Sequence, residues 1–148
     1  MLNIAICDDD LIFASKIETL LLQISQNRFI EMSIDVYSDG YELWNEISSG
    51  KEYELLYLDI EMVRLNGIDV AKKIREINID SVIIYISGYD NYFIDLFEVE
   101  PFRFIRKPVN ENIFFVFCKP FLDKIAKYFW TLLQVHFGQS CKALASLK

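Results

Sequence analysis

Five polar side chains stand where short apolar runs of this 148-residue chain end. Asp8 and Asp9 follow LNIAIC, Asp59 follows LLYL, Ser87 follows VIIYI and Lys107 follows FRFIR. Three carboxylates brought together repel and raise one another's pKa unless a cation sits among them. Their hard oxygen atoms suit Mg²⁺, which prefers octahedral geometry and keeps some of its waters. A carboxylate can also attack a phosphoryl group and become an aspartyl phosphate. A metal and the Lys107 ammonium would neutralise charge on the transferring phosphoryl oxygens, and the Ser87 hydroxyl would donate to one of them. Other chemistries have little to work with. The single histidine, His136, leaves no histidine-based metal cluster and no obvious Ser-His-Asp set. Cys7, Cys118 and Cys141 are odd in number and share no close spacing, so they support neither a disulfide framework nor a zinc site.

The elements that must position these residues are legible in the hydrophobic pattern. Leu2–Cys7, Ile30–Tyr37, Leu55–Leu58, Val82–Ile86 and Phe102–Ile105 read as strands. Between and after them, Leu11–Asn27, Tyr41–Ser49, Gly67–Ile77, Tyr89–Glu98 and Asn110 to about Lys127 read as helices. Ser38 or Asp39 can cap the second helix, and Gly50 stops it. Trp44 packs that helix, and Cys7 reads as a small buried hydrophobe. Five βα units predict an α/β fold, a doubly wound five-stranded parallel sheet with helices on both faces. Right-handed crossovers put every strand's carboxyl end on one edge, where such folds bind ligands. The bland alternatives are local. Asp8-Asp9-Asp10 also suits a helix N-terminus, Ser87 can cap the fourth helix, and Phe104 can serve as core.

Four segments in order, IAICDDD, LLYLDIEM with Gly67 eight residues after Asp59, IIYISGYD and FRFIRKP, resemble a response-regulator receiver domain over residues 1–127. The resemblance implies the flavodoxin-like (βα)5 order 2-1-3-4-5, for which receivers are a standard example. It further implies a phosphoacceptor, Asp59, charged by a sensor histidine kinase. Asp8 and Asp9 would hold Mg²⁺ together with Asp59 and the backbone carbonyl of Glu61. Lys107 would contact the phosphoryl group, and Ser87 and Phe104 would form the switch. The Lys107–Pro108 bond would be cis. The run YDNYFIDLFEVEPFRFIRKP is similar to receivers of LytTR-type transcription regulators. Three positions depart from the family pattern. Val63 stands where proline is frequent, which loosens the loop after Asp59. Phe104 has no hydroxyl, so its switch would rest on packing. Gly88 replaces a frequent alanine.

Residues 128–148 form an apolar tail, too short for the DNA-binding output domain that a LytTR-type regulator would carry, and without a DNA-binding signature. Pro120 falls inside the fifth helix, where it is expected to kink or break it. Phe114, Phe115, Phe117 and Phe121, followed by Tyr128, Phe129, Trp130, Leu132 and Leu133, predict a homodimer or partner surface along the fourth helix, fifth strand, fifth helix and tail. The net charge is −7, with 20 acidic and 10 basic side chains in residues 1–108 and two and five in 109–148. That balance argues against direct binding of nucleic acid. The longest charge-free apolar stretch, Tyr128–Phe137, is about half a membrane span, and a cytoplasmic protein is expected. Two other functions fit the same residues: a small phosphatase with an aspartate nucleophile and Glu61 as its second acid, and a receiver acting only by protein binding.

Overall fold

The computed structural model describes residues 1–77, 80–88, 101–125 and 127. The chain divides into two compact units, Met1–Val109 and Asn110–Lys148. In the first unit the elements are β1 (Leu2–Cys7), α1 (Leu11–Arg28), β2 (Met32–Tyr37), α2 (Gly40–Ser48), β3 (Leu55–Leu58), α3 (Gly67–Ile77), β4 (Val82–Ser87) and β5 (Arg103–Arg106). The five strands form one sheet in the order β2-β1-β3-β4-β5, and every pairing is parallel. This is the expected doubly wound topology. Because all strands run the same way, the residues after Cys7, Leu58, Ser87 and Arg106 emerge on one edge.

Strand β3 is apolar throughout, and β1 is apolar except for Asn3, because both sheet faces are covered. Ala5, Cys7, Leu56, Leu58, Ile83 and Tyr85 join Leu43, Ile47, Val70, Ala71 and Ile74 of α2 and α3 in one buried cluster. Leu20, Leu21 and Ile24 recur at helical spacing along α1, where they are buried with Ala14 and Ile17. Buried side chains of this size each contribute about 1.5–3 kcal/mol relative to exposure.

Element ends follow local chemistry. The Asp10 carboxylate caps α1, accepting from the amides of Ile12 and Phe13 at 3.1 Å each. Asp39, rather than Ser38, caps α2: its Oδ1 accepts from the Tyr41 amide at 2.7 Å and the Glu42 amide at 3.3 Å. Past α2, Gly50 lies at φ +106°, a conformation that excludes most side chains. Strand β2 begins at Met32, two residues later than the alternating pattern predicts. Ile30 is held in the turn after α1 instead. Its amide donates to the Ser25 carbonyl at 3.1 Å, and its carbonyl accepts from Ser25 Oγ at 2.7 Å. Local side-chain bonding of this kind outcompetes the sheet ladder.

In the second unit, residues 111–125 are helical, and Asn110 caps them by accepting from the amides of Asn112 at 2.9 Å and Ile113 at 3.4 Å. The helix runs through Pro120, against the expected break. The expected fourth helix (89–98) and the tail (128–148) lie outside the described residues. Among the described residues no helix is long and apolar enough to cross a membrane.

Candidate functional site

The carboxyl edge of the sheet gathers the polar residues anticipated there. Asp8 leaves β1 with its amide bonded to the Tyr37 carbonyl at 3.0 Å, and Asp59 leaves β3 with its amide bonded to the Cys7 carbonyl at 2.8 Å. These two ladder-like bonds fix both acids against neighbouring strands. Carboxylate oxygens of Asp8, Asp9 and Asp59 lie within 4.8 Å of one another. Asp8 and Asp59 are buried, whereas Asp9 is exposed at the rim.

The acidic run Asp8-Asp9-Asp10 divides its work. Asp10 turns back to cap α1. Asp8 Oδ1 accepts from the Asp10 amide at 2.9 Å, which steadies the turn, and its Oδ2 meets Lys107 Nζ at 2.8 Å. Asp59 Oδ1 accepts from the Ile60 amide at 2.8 Å, and its Oδ2 is 3.4 Å from the same ammonium. Lys107 thus sits between two buried acids, with its Nζ also 4.5 Å from the centre of the Phe13 ring. Its amide donates to the Ser87 carbonyl at 2.9 Å, which ties the end of β5 to β4. Ser87 is fully buried at that strand end. The Lys107–Pro108 peptide is cis, as the resemblance implied.

The electrostatics follow from this crowding. Burial pushes Asp59 up to about 6, and the neighbouring Asp8 charge adds to the shift while Lys107 opposes it. Burial likewise raises Asp8 above its ordinary range, against the hydrogen bond from Lys107. Burial works to lower Lys107, but its contacts with Asp8 and Asp59 overcome that and leave its pKa raised. Two buried carboxylates share one ammonium with a third carboxylate close by, which leaves the site short of positive charge. An oxygen-donor set of this kind fits Mg²⁺.

The remaining predicted residues fall nearby. Glu61 is exposed in the loop between Asp59 and α3. Phe104 lies in β5, partly buried against the cluster beneath α2 and α3. The described part of the loop is tightly placed. The Gly67 amide donates to the Ile60 carbonyl at 3.0 Å, and Met62 reaches into the core, where its Sδ is 3.5 Å from Cys7 Sγ. Three residues with a part in this site escape a reading of the pattern alone: Phe13 against Lys107, and Arg64 and Asp39 beside the loop. Their contacts join elements distant in sequence, and no periodicity marks them.

Comparison with known proteins agrees with this geometry. Residues 4–115 match the response regulator receiver domain. The sensory transduction protein LytT of Bacillus subtilis is 27% identical over 112 residues, covering 76% of this chain and 44% of that protein. LytR of Staphylococcus haemolyticus is 28% identical over 103 residues, covering 70% of this chain and 38% of that protein. The chain therefore matches less than half the length of these relatives. The response regulatory domain of mrkE from Klebsiella pneumoniae superposes with a TM-score of 0.74 at 20% identity, covering 85% of this chain and 99% of that one. A CheY-like receiver domain from Methanospirillum hungatei gives 0.73 at 20% identity, covering 86% and 98%. A family match across three quarters of the sequence, on a sheet of the order 2-1-3-4-5 with an acidic carboxyl edge, means that the chain belongs to the response-regulator receiver family.

Proposed function

We propose that this protein is a phosphoacceptor in a two-component relay, with a receiver over residues 1–127 and Asp59 as the residue that takes the phosphoryl group from a sensor histidine kinase. The observation that carries the reading is the meeting of the Asp8, Asp9 and Asp59 carboxylates at the carboxyl edge of the sheet, with the Lys107 ammonium between Asp8 and Asp59. An Asp59 carboxylate oxygen attacks phosphorus, the P–N bond of the phosphohistidine breaks, and the imidazole departs with the electron pair and picks up a proton. Lys107 places positive charge beside the oxygens of the incoming group. Ser87 supplies a hydroxyl to one of them, and with Phe104 forms the switch that reads the modified state. Asp8, Asp9, Asp59 and the Glu61 carbonyl would hold Mg²⁺, which supplies charge neutralisation for the phosphoryl oxygens.

The relationship to LytT and LytR supports a place in transcription regulation of the LytTR type. The dimer surface expected along the fourth helix, fifth strand, fifth helix and tail belongs to the same proposal, and its fourth helix and tail fall outside the described residues. Incubation with Mg²⁺ and acetyl phosphate, followed by intact mass measurement, tests the reading. One phosphoryl group per chain, absent in Asp59→Asn, supports it. Multiple turnover of a small phosphate ester would instead favour an aspartate-nucleophile phosphatase using Glu61. No modification and no Mg²⁺ binding would leave a receiver that acts only by binding proteins.

A further inference from the structure

The loop from Ile60 to Asn66 is fastened at both ends. The Ile60 amide bonds to Asp59, and Asn66 caps α3 by accepting from the Asp69 amide at 2.9 Å. Its middle is different. Val63 is 88% exposed and offers no anchor. The next residue, Arg64, reaches across to α2. Its Nε lies 3.5 Å from Asp39 Oδ2, and its guanidinium lies 4.6 Å from the centre of the Tyr41 ring. Asp39 is buried and spends its other oxygen capping α2, so its position is fixed by the helix it begins. The backbone closes the same seam. A Cβ on Gly40 would stand 2.2 Å from the Leu65 carbonyl oxygen, a distance that only glycine allows.

We propose that Arg64 is a positioning residue for the cation site. It clamps the loop after Asp59 to the N-terminus of α2, and so sets where the Glu61 carbonyl stands relative to Asp59. The assignment rests on the phosphoacceptor reading above. The ion pair and the stacked guanidinium hold the loop just past its most exposed residue. A planar guanidinium suits both contacts, and a lysine at position 64 would keep the charge but lose the stacking face.

The test is a titration with Mg²⁺ alone, without phosphodonor, followed by the backbone amide NMR signals of Glu61 and Met62. Hydrogen exchange at the Gly67 amide is measured on the same samples. Arg64→Ala is expected to weaken Mg²⁺ binding by about threefold to tenfold, as one exposed ion pair and one cation–π contact are lost. Exchange at Gly67 should quicken by a similar factor, and Arg64→Lys should recover part of both. Gly50→Ala, strained at φ +106° but remote from the loop, serves as a variant destabilised by other means. Equal Mg²⁺ affinity in Arg64→Ala and the parent overturns the assignment. So does an equal loss in Gly50→Ala at a matched unfolding midpoint. A parent that binds no Mg²⁺ overturns the phosphoacceptor reading and this assignment with it.

Discussion

Gly67 offers the sharpest test of how tightly the acidic edge is built. A Cβ added there would stand 2.0 Å from the Asp59 carbonyl oxygen, 3.0 Å from its carbonyl carbon and 3.3 Å from Ile60 Cα. All three atoms are backbone, so no side chain can swing away. Relief to ordinary contact at 3.4 Å requires a shift of about 1.4 Å between the start of α3 and the end of β3. Both sides resist it. The Asp59 amide is bonded to Cys7, the Gly67 amide to Ile60, and Ile68 and Val70 are buried just beyond. Overpacking of this kind costs roughly 1–3 kcal/mol, and losing the Gly67–Ile60 bond adds about 1 kcal/mol. Alanine's better helix propensity returns at most about 1 kcal/mol. Gly67→Ala should therefore lose roughly 1–3 kcal/mol, which lowers the urea midpoint by about 0.5–1.5 M for a slope near 2 kcal/mol/M. A displacement of about 1 Å at the phosphoacceptor should also slow modification by acetyl phosphate about a hundredfold. Gly88→Ala is the control, since nothing lies within 4 Å of its added Cβ. The reasoning fails if Gly67→Ala unfolds within about 0.3 M of the parent and is modified at the parent's rate.

Three further outcomes follow from the charges. Asp59→Asn should raise the stability of the metal-free protein at pH 7.5. The folded carboxyl titrates near 6 against an ordinary 3.8, so its ionised form costs stability above that range, by at most about 3 kcal/mol. The penalty is absent below 3.8 and grows as pH rises through 6, so the gain should fade between pH 6 and 4; equal urea midpoints for parent and variant at pH 7.5 would refute it. Lys107→Ala leaves Asp8 and Asp59 without their shared cation and should cost about 2–4 kcal/mol in metal-free buffer, with Mg²⁺ restoring part of it in the same denaturation series. Asp10→Ala should cost about 1 kcal/mol through the lost cap while leaving modification by acetyl phosphate within about twofold, and a large loss of modification would place Asp10 in the site after all.

The order of elements and the location of the site were open to a reader of the chain because burial on both sheet faces writes itself as unbroken apolar runs. Leu2–Cys7 and Leu55–Leu58 match to the residue for that reason, and Gly67–Ile77 does because Ile68, Ala71 and Ile74 recur at helical spacing. Strand β2 lies at the edge of the sheet and is only partly buried, so its alternation runs on into Ile30, which a Ser25 hydroxyl holds in a turn. The local rule expects Pro120 to kink or break its helix, and the helix over 111–125 runs through it without a break. The roles of three consecutive aspartates could not be separated from their identical side chains. The turn at Asp8 decides them, sending one to Lys107, one to the rim and one to α1. Arg64 was hidden for a related reason. Its partners Asp39 and Tyr41 are more than twenty residues away, and only the crossover through β3 brings them together.

The same geometry ties stability to function. Asp8 and Asp59 are buried where their charges are least welcome, and one lysine cannot balance them together with Asp9. The buried side chains on both faces of β1 and β3 hold them there despite that cost. A site strained in this way binds most tightly whatever adds positive charge, because binding then returns the energy that folding had to spend. On the proposed function, a phosphoryl group on Asp59 would turn one carboxylate into a dianionic acyl phosphate beside Lys107, which would shift the balance again and change which contacts at Ser87 and Phe104 are favourable. Placing unfavourable charge on a rigid sheet edge thus lets one small modification alter the energy of the surrounding domain.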